Sequence, residues 1–311
     1  MEILENEAMS AHTSFKAGGC AKFFAKADSV DNLVEIRKFS ENNGFPLFIV
    51  GKGTNLLVSD KGFNGIIVQL GKTFSEIEDL GNGKFRVGAA TPLARFARSS
   101  IAKGFAGIHK LAGIPGSIGG AIFMNAGAYG QEICETCIEV TSLDATGHMR
   151  TRSAADCKFS YRHSLFQDLS TGVANERHGE IVLSATFQLT PVACLDKTAA
   201  DLECEMQECM EKRRKSQPLT TPNAGSTFKR LAFGAKDTPT QIAPGYYIEQ
   251  AGLKGFRIGG AEVSQVHANF IVNSDSATAE DIKTLSEHVQ RVVEEKFGVK
   301  LQREVIFLGE F

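Results

Sequence analysis

The run AGIPGSIGGA at residues 112–121 places four glycines within ten positions. Residues 123–130, FMNAGAYG, continue this small-residue composition. Because glycine carries no side chain beyond a hydrogen, such a run lets the backbone approach a ligand closely. We therefore expect contact with a flat or anionic ligand here. A loop-rich crossing between two sheets is the alternative explanation of the same composition.

A second glycine-rich segment, GKGTN at residues 51–55, directly follows the apolar run LFIV at residues 47–50. The apolar run is typical of a buried strand, and the glycines after it allow backbone N–H groups to converge on phosphate oxygens. A tight turn after a strand is the alternative, and no helix pattern follows to make this a Walker A or G-x-G-x-x-G motif. Two such loops on one chain favour a dinucleotide whose pyrophosphate lies between them.

The composition is that of a soluble enzyme with more glycine than usual. The 311 residues are 42% hydrophobic and 23% charged, with a net charge of −2 and 31 glycines. This charge indicates neither a nucleic-acid nor a membrane partner. The acidic N-terminus lacks the apolar core of a signal peptide, so we expect a cytoplasmic protein. The seven cysteines are scattered, which favours free thiols, and we expect no metal site.

Hydrophobic periodicity predicts alternating helices and strands in two or three domains. A helix capped by Ser29 should run to about residue 43 and end at Gly44. A longer helix over 278–297 should begin with a capping box of Thr278 and Asp281. Further helices are expected at 92–103 and 196–215, and strands at 47–50, 56–58, 65–68, 85–87, 138–140, 181–187 and 304–308.

Polar residues outside the glycine-rich segments are candidates for chemistry. Arg162, in FSYRHSLF, can bind a carboxylate with two hydrogen bonds, or form a surface ion pair. Ser226, in NAGSTFK, lacks the G-x-S-x-G setting of a hydrolase nucleophile and can equally cap a turn. Glu304 and His267 lie near predicted strands, where a glutamate is usually solvated and a histidine is often packed.

Together these segments resemble the UDP-N-acetylenolpyruvoylglucosamine reductases of bacterial peptidoglycan synthesis, and within them the shorter class. The similarity covers nearly the whole chain. It begins at TSFKAGG (13–19), and six motifs follow in the family's order. They are GKGTNLL at 51–57, GIPGSIGG at 113–120, NAGAYG at 125–130, YRxS at 161–164, AGSxFK at 224–229, and AGLKG at 251–255 together with GGA at 259–261.

The resemblance implies an α+β protein with a two-part FAD-binding fold of the vanillyl-alcohol-oxidase (PCMH) type, plus a smaller α/β substrate-binding domain. We expect FAD-binding parts at residues 1–70 and 71–195 and the substrate domain at 196–311. The resemblance also implies noncovalent FAD, NADPH as co-substrate and a UDP-sugar enolpyruvyl ether as substrate. The loop 113–120 contains no histidine to tether a flavin, which agrees with a noncovalent cofactor. We expect a monomer.

By motif, the resemblance assigns catalytic roles to Arg162, Ser226 and Glu304. Ser216 and Gln217 occupy the place where the family often has a lysine that meets the substrate diphosphate, so Arg214 or Lys215 is expected to replace it. The expected substrate-binding residues are Tyr129, Arg214, Lys229 and His267. The expected cofactor-binding residues are Gly51, Lys52, Gly53, Thr54, Asn55, Ile114, Pro115, Gly116, Ser117, Gly119, Gly120 and Ala121.

The sequence leaves two other functions open. Another flavin oxidoreductase of the same fold, such as an oxidase that uses O₂ on an alcohol, would keep both glycine-rich loops. It would not need Arg162, Ser226 and Glu304 together. A nucleotide-binding regulator without catalysis is the second alternative, and it would be colourless when purified, whereas a flavoenzyme is yellow.

Overall fold

A computed structural model describes residues 2–170, 179–231 and 243–311 of the chain. Groups of consecutive strands are separated by helices along it, as expected for an α+β protein. The strands are β1 (Glu2–Ala8), β2 (Cys20–Ala27), β3 (Leu47–Val50), β4 (Leu56–Val58), β5 (Phe63–Leu70), β6 (Ile77–Gly81), β7 (Lys84–Gly88), β8 (Phe105–Ala106), β9 (Gly127–Ala128), β10 (Gln131–Glu132), β11 (Cys137–Leu143), β12 (Met149–Ser153), β13 (Ile181–Gln188), β14 (Thr190–Pro191), β15 (Arg257–Ile258), β16 (Ala261–Val263), β17 (Ile271–Asn273) and β18 (Ile306–Leu308).

The helices include all four that the sequence predicts, with ends that differ by up to three residues. None of those in the described part of the chain is both long and apolar enough to cross a bilayer. The helices are α1 (Val30–Asn43), α2 (Leu93–Ala102), α3 (Ile118–Met124), α4 (Leu165–Asp168), α5 (Ala199–Ser216), α6 (Pro244–Gln250) and α7 (Ala279–Phe297).

Capping residues explain where α1 and α7 begin and end. The Ser29 hydroxyl accepts a backbone N–H of the first turn of α1 at 3.1 Å, and Gly44 ends that helix with φ of 66°. Thr278 and Asp281 form a reciprocal capping box at α7, and Gly298 ends it with φ of 68°. These predictions are confirmed, because a cap satisfies the free N–H groups and glycine accepts the left-handed conformation.

The predicted strand at 304–308 is wrong at its start. The strand β18 begins at Ile306, because the Glu304 N–H donates to the carbonyl of Thr227 at 2.8 Å instead of joining the ladder with β4. The register of that parallel ladder places Ile306 opposite Leu56. Glu304 is therefore held by contacts just outside the strand.

The glycine-rich run at 112–121 contains the start of a helix that sequence reasoning did not predict. Glycines disfavour helix by about 1 kcal/mol each. Tertiary contacts offset that cost, because the N–H groups of Ile118 and Gly119 donate to the carbonyls of Thr91 (2.9 Å) and Ala89 (2.8 Å). Ile118 and Ile122 are fully buried. Packing thus decides the conformation where propensity is unfavourable.

The chain divides into two compact units, each assembled from separate segments. Unit 1 consists of Met1–Glu5, Phe23–Lys52 and Asn64–Arg213. Unit 2 consists of Asn6–Lys22, Gly53–Phe63 and Arg214–Phe311.

Unit 1 is built around an antiparallel five-stranded sheet in the order β12-β11-β13-β7-β6. Its core includes the fully buried rings of Phe85, Phe96 and Phe187, with the centroids of the last two 5.0 Å apart. A further buried cluster packs Leu33 and Ile36 of α1 on the strands of unit 1.

Unit 2 packs α7 on the antiparallel sheet β15-β16-β17. Residues recurring at helical spacing form the buried face of α7, as the sequence predicts. They are Ile282, Leu285, Val289 and Val293. The parallel pair β4–β18 and the Asp60 carboxylate, which accepts the N–H groups of Ala279 and Glu280, tie residues 53–63 into this unit. A carboxylate at a helix N-terminus is favoured by the helix dipole.

Candidate active site

The two glycine-rich loops approach each other at Gly51 and Ser117, both in unit 1. A Cβ on Gly51 would lie only 2.7 Å from the Ser117 Oγ, so any larger residue would displace that hydroxyl. Ser117 is buried and occupies the N-cap position of α3, yet its side chain does not cap the helix. A Cβ on Gly120 would lie 3.8 Å from the same hydroxyl. The two loops are therefore in close contact around a buried hydroxyl that is surrounded by small residues.

The residues where the two loops meet are chemically suited to contact a phosphate group. Small residues leave room for close backbone approach, and a hydroxyl donates well to an anionic oxygen. The N–H groups of Ile118 and Gly119 are already bonded within the protein, so they do not contribute. The residues present thus match the predicted diphosphate site of a dinucleotide cofactor.

Gly53 and Asn55, in unit 2, fix the second half of the 51–55 loop. Gly53 has φ of 60°, and its carbonyl accepts the Ser14 N–H at 3.0 Å. The Asn55 side chain donates to the carbonyl of Glu304 at 3.1 Å, and the Asn55 carbonyl accepts the Ile306 N–H at 3.1 Å. Asn55, predicted to bind cofactor, therefore also holds the backbone of a predicted catalytic residue.

Arg162 lies in a two-residue turn of unit 1. The backbone groups of Ser160 and His163 exchange hydrogen bonds of 3.1 and 3.0 Å across the turn. Arg162 has φ of 53°, a conformation that is uncommon for a residue other than glycine and that marks functional positions when its surroundings enforce it. Its Nη2 donates to the Gly127 carbonyl at 2.9 Å, and its guanidinium lies 5.0 Å from the Tyr161 ring centroid. The guanidinium is thus oriented in advance.

A hairpin of β9 and β10 lies next to this turn. Tyr129 and Gly130 connect the strands with φ of 52° and 75°, the two positive values of a type I′ turn. The fully buried Asn125 donates to the Ser160 carbonyl and to the Glu132 carboxylate, each at 2.9 Å. The Asn125 amide therefore joins the hairpin to the turn that carries the predicted catalytic arginine.

Arg213, on α5, is a further candidate site residue that sequence reasoning did not select. Burial lowers its pKa, although it stays charged, and it lies close enough to Tyr129 to act on the pKa of that hydroxyl, which burial raises. A Cβ on Gly113 would lie 3.3 Å from the Arg213 Cδ. No carboxylate within residues 2–170, 179–231 and 243–311 forms an ion pair with Arg213. A half-buried cation without a counter-ion is suited to bind an anion.

Ser226 and Glu304 are brought together in unit 2. The Glu304 N–H donates to the carbonyl of Thr227, and the Lys229 N–H donates to the carbonyl of Gln302, each at 2.8 Å. The segment that follows Ser226 therefore runs beside the segment that contains Glu304. Both predicted catalytic side chains are half-buried.

Gly225 gives the Ser226 segment an open side. Its φ is 81°, and its N–H donates to the Asn223 Oδ1 at 2.8 Å in a local turn. A Cβ built on Gly225 meets no described atom within 4 Å. A ligand therefore has room beside the residue that precedes Ser226.

His267 has a structural contact that is compatible with its predicted role. Its Nδ1 accepts the backbone N–H of Asn269 at 3.1 Å, and its ring lies 4.8 Å from that of Phe270. Burial lowers the pKa of His267, and Lys254 lowers it further while the local backbone and Glu249 oppose the shift. The neutral ring is thus favoured, with Nδ1 as the acceptor.

The predicted site residues fall into two groups. Arg162 and Tyr129 belong to unit 1, with the loop residues 114–121. Ser226 and Glu304 belong to unit 2, with Lys229, His267 and Arg214. The loop 51–55 contributes Gly51 and Lys52 to the first unit and its other three residues to the second.

Comparisons with known proteins find an FAD-binding family in the N-terminal half of the chain and a reductase family in its C-terminal part. Residues 21–153 match the model of an FAD binding domain, and residues 217–308 match that of the UDP-N-acetylenolpyruvoylglucosamine reductase C-terminal domain. The reductases of that name from Agathobacter rectalis and Lactiplantibacillus plantarum are each 39% identical, over 99% and 100% of this chain and 95% of each relative. The crystal structure of the reductase from Thermus caldophilus superposes with a TM-score of 0.78 at 28% identity, covering 99% of this chain and 98% of that one. The predicted α+β FAD-binding fold is confirmed.

Proposed function

Because this chain belongs to the UDP-N-acetylenolpyruvoylglucosamine reductase family, we propose that it reduces UDP-N-acetylenolpyruvoylglucosamine to UDP-N-acetylmuramate in bacterial peptidoglycan synthesis. Its cofactor is FAD, and NADPH is the hydride donor. When bound, FAD would supply the hydride-transfer chemistry between NADPH and the carbon–carbon double bond of the substrate. The observation that carries the proposal is the backbone pairing between the segment that follows Ser226 and the segment that contains Glu304.

The residues that would hold FAD noncovalently are those of the two glycine-rich loops. Gly51 and Gly120 leave the Ser117 hydroxyl free of neighbouring side chains, and that hydroxyl would donate to a phosphate oxygen. The remaining loop residues would contribute backbone contacts. This assignment is supported by the close approach of Gly51 to Ser117, which brings the two glycine-rich loops together.

Arg162 binds the substrate carboxylate. Negative charge grows on that carboxylate when hydride reaches the neighbouring alkene, so a pre-oriented cation stabilises the transition state more than the ground state. The bond from Arg162 to the Gly127 carbonyl holds the guanidinium in one orientation. This restraint reduces the reorganisation needed when the substrate binds.

Ser226 donates a proton to the adjacent carbon, and Glu304 assists in protonated form. A hydroxyl is a weak acid, but the carbanionic partner is a strong base, and the Lys229 ammonium favours the alkoxide that forms. An ionised Glu304 would repel the growing charge on the substrate, whereas a protonated one can donate to it. Both residues lie on adjoining segments of unit 2, which supports their acting in one step.

Arg213 binds a phosphate group of the substrate or cofactor. Arg214, the residue that the motif suggests, is exposed, whereas Arg213 is half-buried against Gly113 and close to Tyr129. The lack of a carboxylate partner for Arg213 among the described residues supports this choice. Tyr129 and His267 remain proposed substrate contacts, and Arg213 takes the role that the motif suggests for Arg214.

We further propose that residues 1–70, 71–195 and 196–311 divide the work as two FAD-binding parts and a substrate domain. We also propose that the protein acts as a monomer in the cytoplasm, since its composition shows no basic or apolar excess. Sedimentation of the FAD-bound protein at several concentrations measures the oligomeric state, and a mass that rises to twice 33.6 kDa would contradict the proposal.

The test is anaerobic stopped-flow absorbance of the yellow holoenzyme. NADPH should bleach the flavin band, and the enolpyruvyl sugar nucleotide should restore it. Ser226→Ala should leave the first step near normal and slow the second by ~10²–10⁴, the usual effect of losing a general acid. Equal slowing of both steps would refute the role of Ser226. Bleaching of the flavin by an alcohol, followed by recovery on admission of O₂ and not on addition of the sugar nucleotide, would identify an oxidase instead.

A further inference from the structure

The buried side chain of Asn269 forms paired hydrogen bonds with the backbone of Phe228, two residues after Ser226. Its Oδ1 accepts the Phe228 N–H at 3.1 Å, and its Nδ2 donates to the Phe228 carbonyl at 2.9 Å. Asn269 is 5% exposed and Phe228 is 1% exposed. This pair of hydrogen bonds resembles the one that a neighbouring antiparallel strand makes with the backbone N–H and C=O of one residue.

The main chain of Asn269 extends this contact toward the serine. The Asn269 carbonyl accepts the Thr227 N–H at 2.8 Å, and the Thr227 carbonyl accepts the Glu304 N–H at 2.8 Å. The four backbone groups that follow Ser226 are therefore all bonded. Three of these bonds are made by Asn269, and the fourth is made by Glu304.

We infer that Asn269 is the positioning residue of Ser226. The Asn269 amide holds the peptide groups that follow Ser226 in the chain. It thereby fixes the backbone that presents the Ser226 hydroxyl, and it fixes this backbone relative to Glu304. The inference rests on the proposed function, because it concerns the same proton donor. An amide is required here since one group must accept and another must donate, and a displacement of about 1 Å costs as much as ~10²-fold in rate.

Asn273 provides a matched control from the same unit. Its Nδ2 donates to the Phe15 carbonyl at 2.9 Å, and its Oδ1 accepts the Ala277 N–H at 2.7 Å. Asn273→Ala therefore also removes two side-chain bonds to the backbone, but neither involves residues 224–229. A general loss of rigidity in unit 2 would affect Asn269→Ala and Asn273→Ala alike.

The experiment measures both half-reactions of the FAD-loaded protein by anaerobic stopped flow. Asn269→Ala should slow flavin reoxidation by the sugar nucleotide by roughly 10–100-fold. It should leave reduction by NADPH within about twofold, and Asn273→Ala should leave both steps within about twofold. Equal slowing of reoxidation in the two alanine variants would overturn the inference.

A double-mutant cycle separates action through Ser226 from an independent effect. If Asn269 acts through the serine, Asn269→Ala should change reoxidation by less than about twofold once Ser226 is alanine. The same fold-loss in both backgrounds would overturn the inference. A normal reoxidation rate in Ser226→Ala alone would instead refute the proposed proton donor, so the two failures are distinguishable.

Asn269→Asp adds a pH readout. A protonated aspartic acid keeps one acceptor and one donor, whereas the ionised form loses the donor and repels the Phe228 carbonyl. Its reoxidation rate, taken relative to wild type at each pH, should rise toward wild type as pH falls. His267, which accepts the Asn269 N–H, and the nearby Lys254 and Glu249 are common to both proteins and cancel in the ratio. A pH-independent ratio would contradict the inference.

Hydrogen exchange gives a readout that does not depend on activity. The Thr227 and Phe228 amides should exchange faster in Asn269→Ala by roughly 10-fold or more, because local opening becomes easier. Asn273→Ala should leave these two amides unchanged. Unchanged exchange in Asn269→Ala would overturn the inference.

Discussion

Replacing Gly53 by alanine is expected to lower the free energy of unfolding by about 2–5 kcal/mol, through two costs that add. The φ of 60° places the residue in the left-handed region, which costs an L-residue roughly 1–2 kcal/mol. The new Cβ would also lie 2.0 Å from the His12 carbonyl oxygen, where ordinary contact is 3.4–4 Å. The backbone must shift to relieve this overlap, and such overpacking typically costs about 1–3 kcal/mol.

Gly298→Ala separates the two costs. Gly298 has φ of 68°, but no described atom lies within 4 Å of its Cβ position, so only the conformational cost of roughly 1–2 kcal/mol applies. Urea unfolding followed by far-UV circular dichroism measures both variants. Because residue 53 lies in the proposed cofactor loop, Gly53→Ala should also weaken FAD binding in a fluorescence titration, and Gly298→Ala should not. If Gly53→Ala and Gly298→Ala lowered the free energy of unfolding by amounts equal within ~0.5 kcal/mol, the predicted cost of the Cβ overlap at residue 53 would be refuted.

Two further changes test other parts of the site. Arg213→Gln should raise KM for the sugar nucleotide or the Kd for FAD by roughly 10–100-fold, because hydrogen bonds to charged groups contribute about 1.5–3 kcal/mol. Steady-state assays and FAD titrations measure these constants, and Arg214→Gln is the control. Equal effects of the two substitutions would contradict the choice of Arg213. Burial lowers the pKa of His267 in the folded protein, so the unfolded chain binds a proton at this histidine more readily. The stability that depends on the neutral ring is therefore fully present above pH ~6.5, the ordinary pKa of histidine. It is lost as the pH falls from there toward the folded pKa. His267→Gln should flatten that decline in unfolding free energy between pH 7.5 and 5, and an unchanged slope would contradict it.

Local signals gave the parts of the fold that local chemistry decides. Ser29 with Gly44, and Thr278 with Asp281, predict the helix ends because a cap satisfies N–H groups a few residues away. The strand at 47–50 is likewise predicted locally, from its run of consecutive apolar residues. Each of these features depends on neighbours in the sequence, which a reader of the sequence can see.

Features that depend on distant residues were not predictable. The helix α3 forms where two glycines argue against it, because carbonyls of Ala89 and Thr91 accept its first N–H groups. The sequence likewise gives no sign that residues 6–22 and 53–63 join the C-terminal part in unit 2. Those associations need pairing partners such as β18 for β4, and no local pattern specifies them.

The candidate site shows the same division. The motifs indicate Ser226 and Glu304, and the structure adds that their segments pair in one unit. Arg213 could not be chosen from Lys212, Arg213, Arg214 and Lys215, since four adjacent cations differ only in which direction the helix turns them. Asn269 was missed because its amide bonds the backbone of Phe228, 41 residues away in the chain. In the sequence alone, such an asparagine looks like any other polar residue of a strand-rich segment.

The bond between the Asn55 amide and the Glu304 carbonyl joins groups that are 249 positions apart in the chain. At a translation speed of ~5–20 residues per second, the glycine loop leaves the ribosome roughly 10–50 s before its partner exists. During that interval β4 lacks β18, its partner in the parallel ladder. A product released early by a premature stop codon would keep that edge of β4 unpaired, and unpaired strand edges promote aggregation.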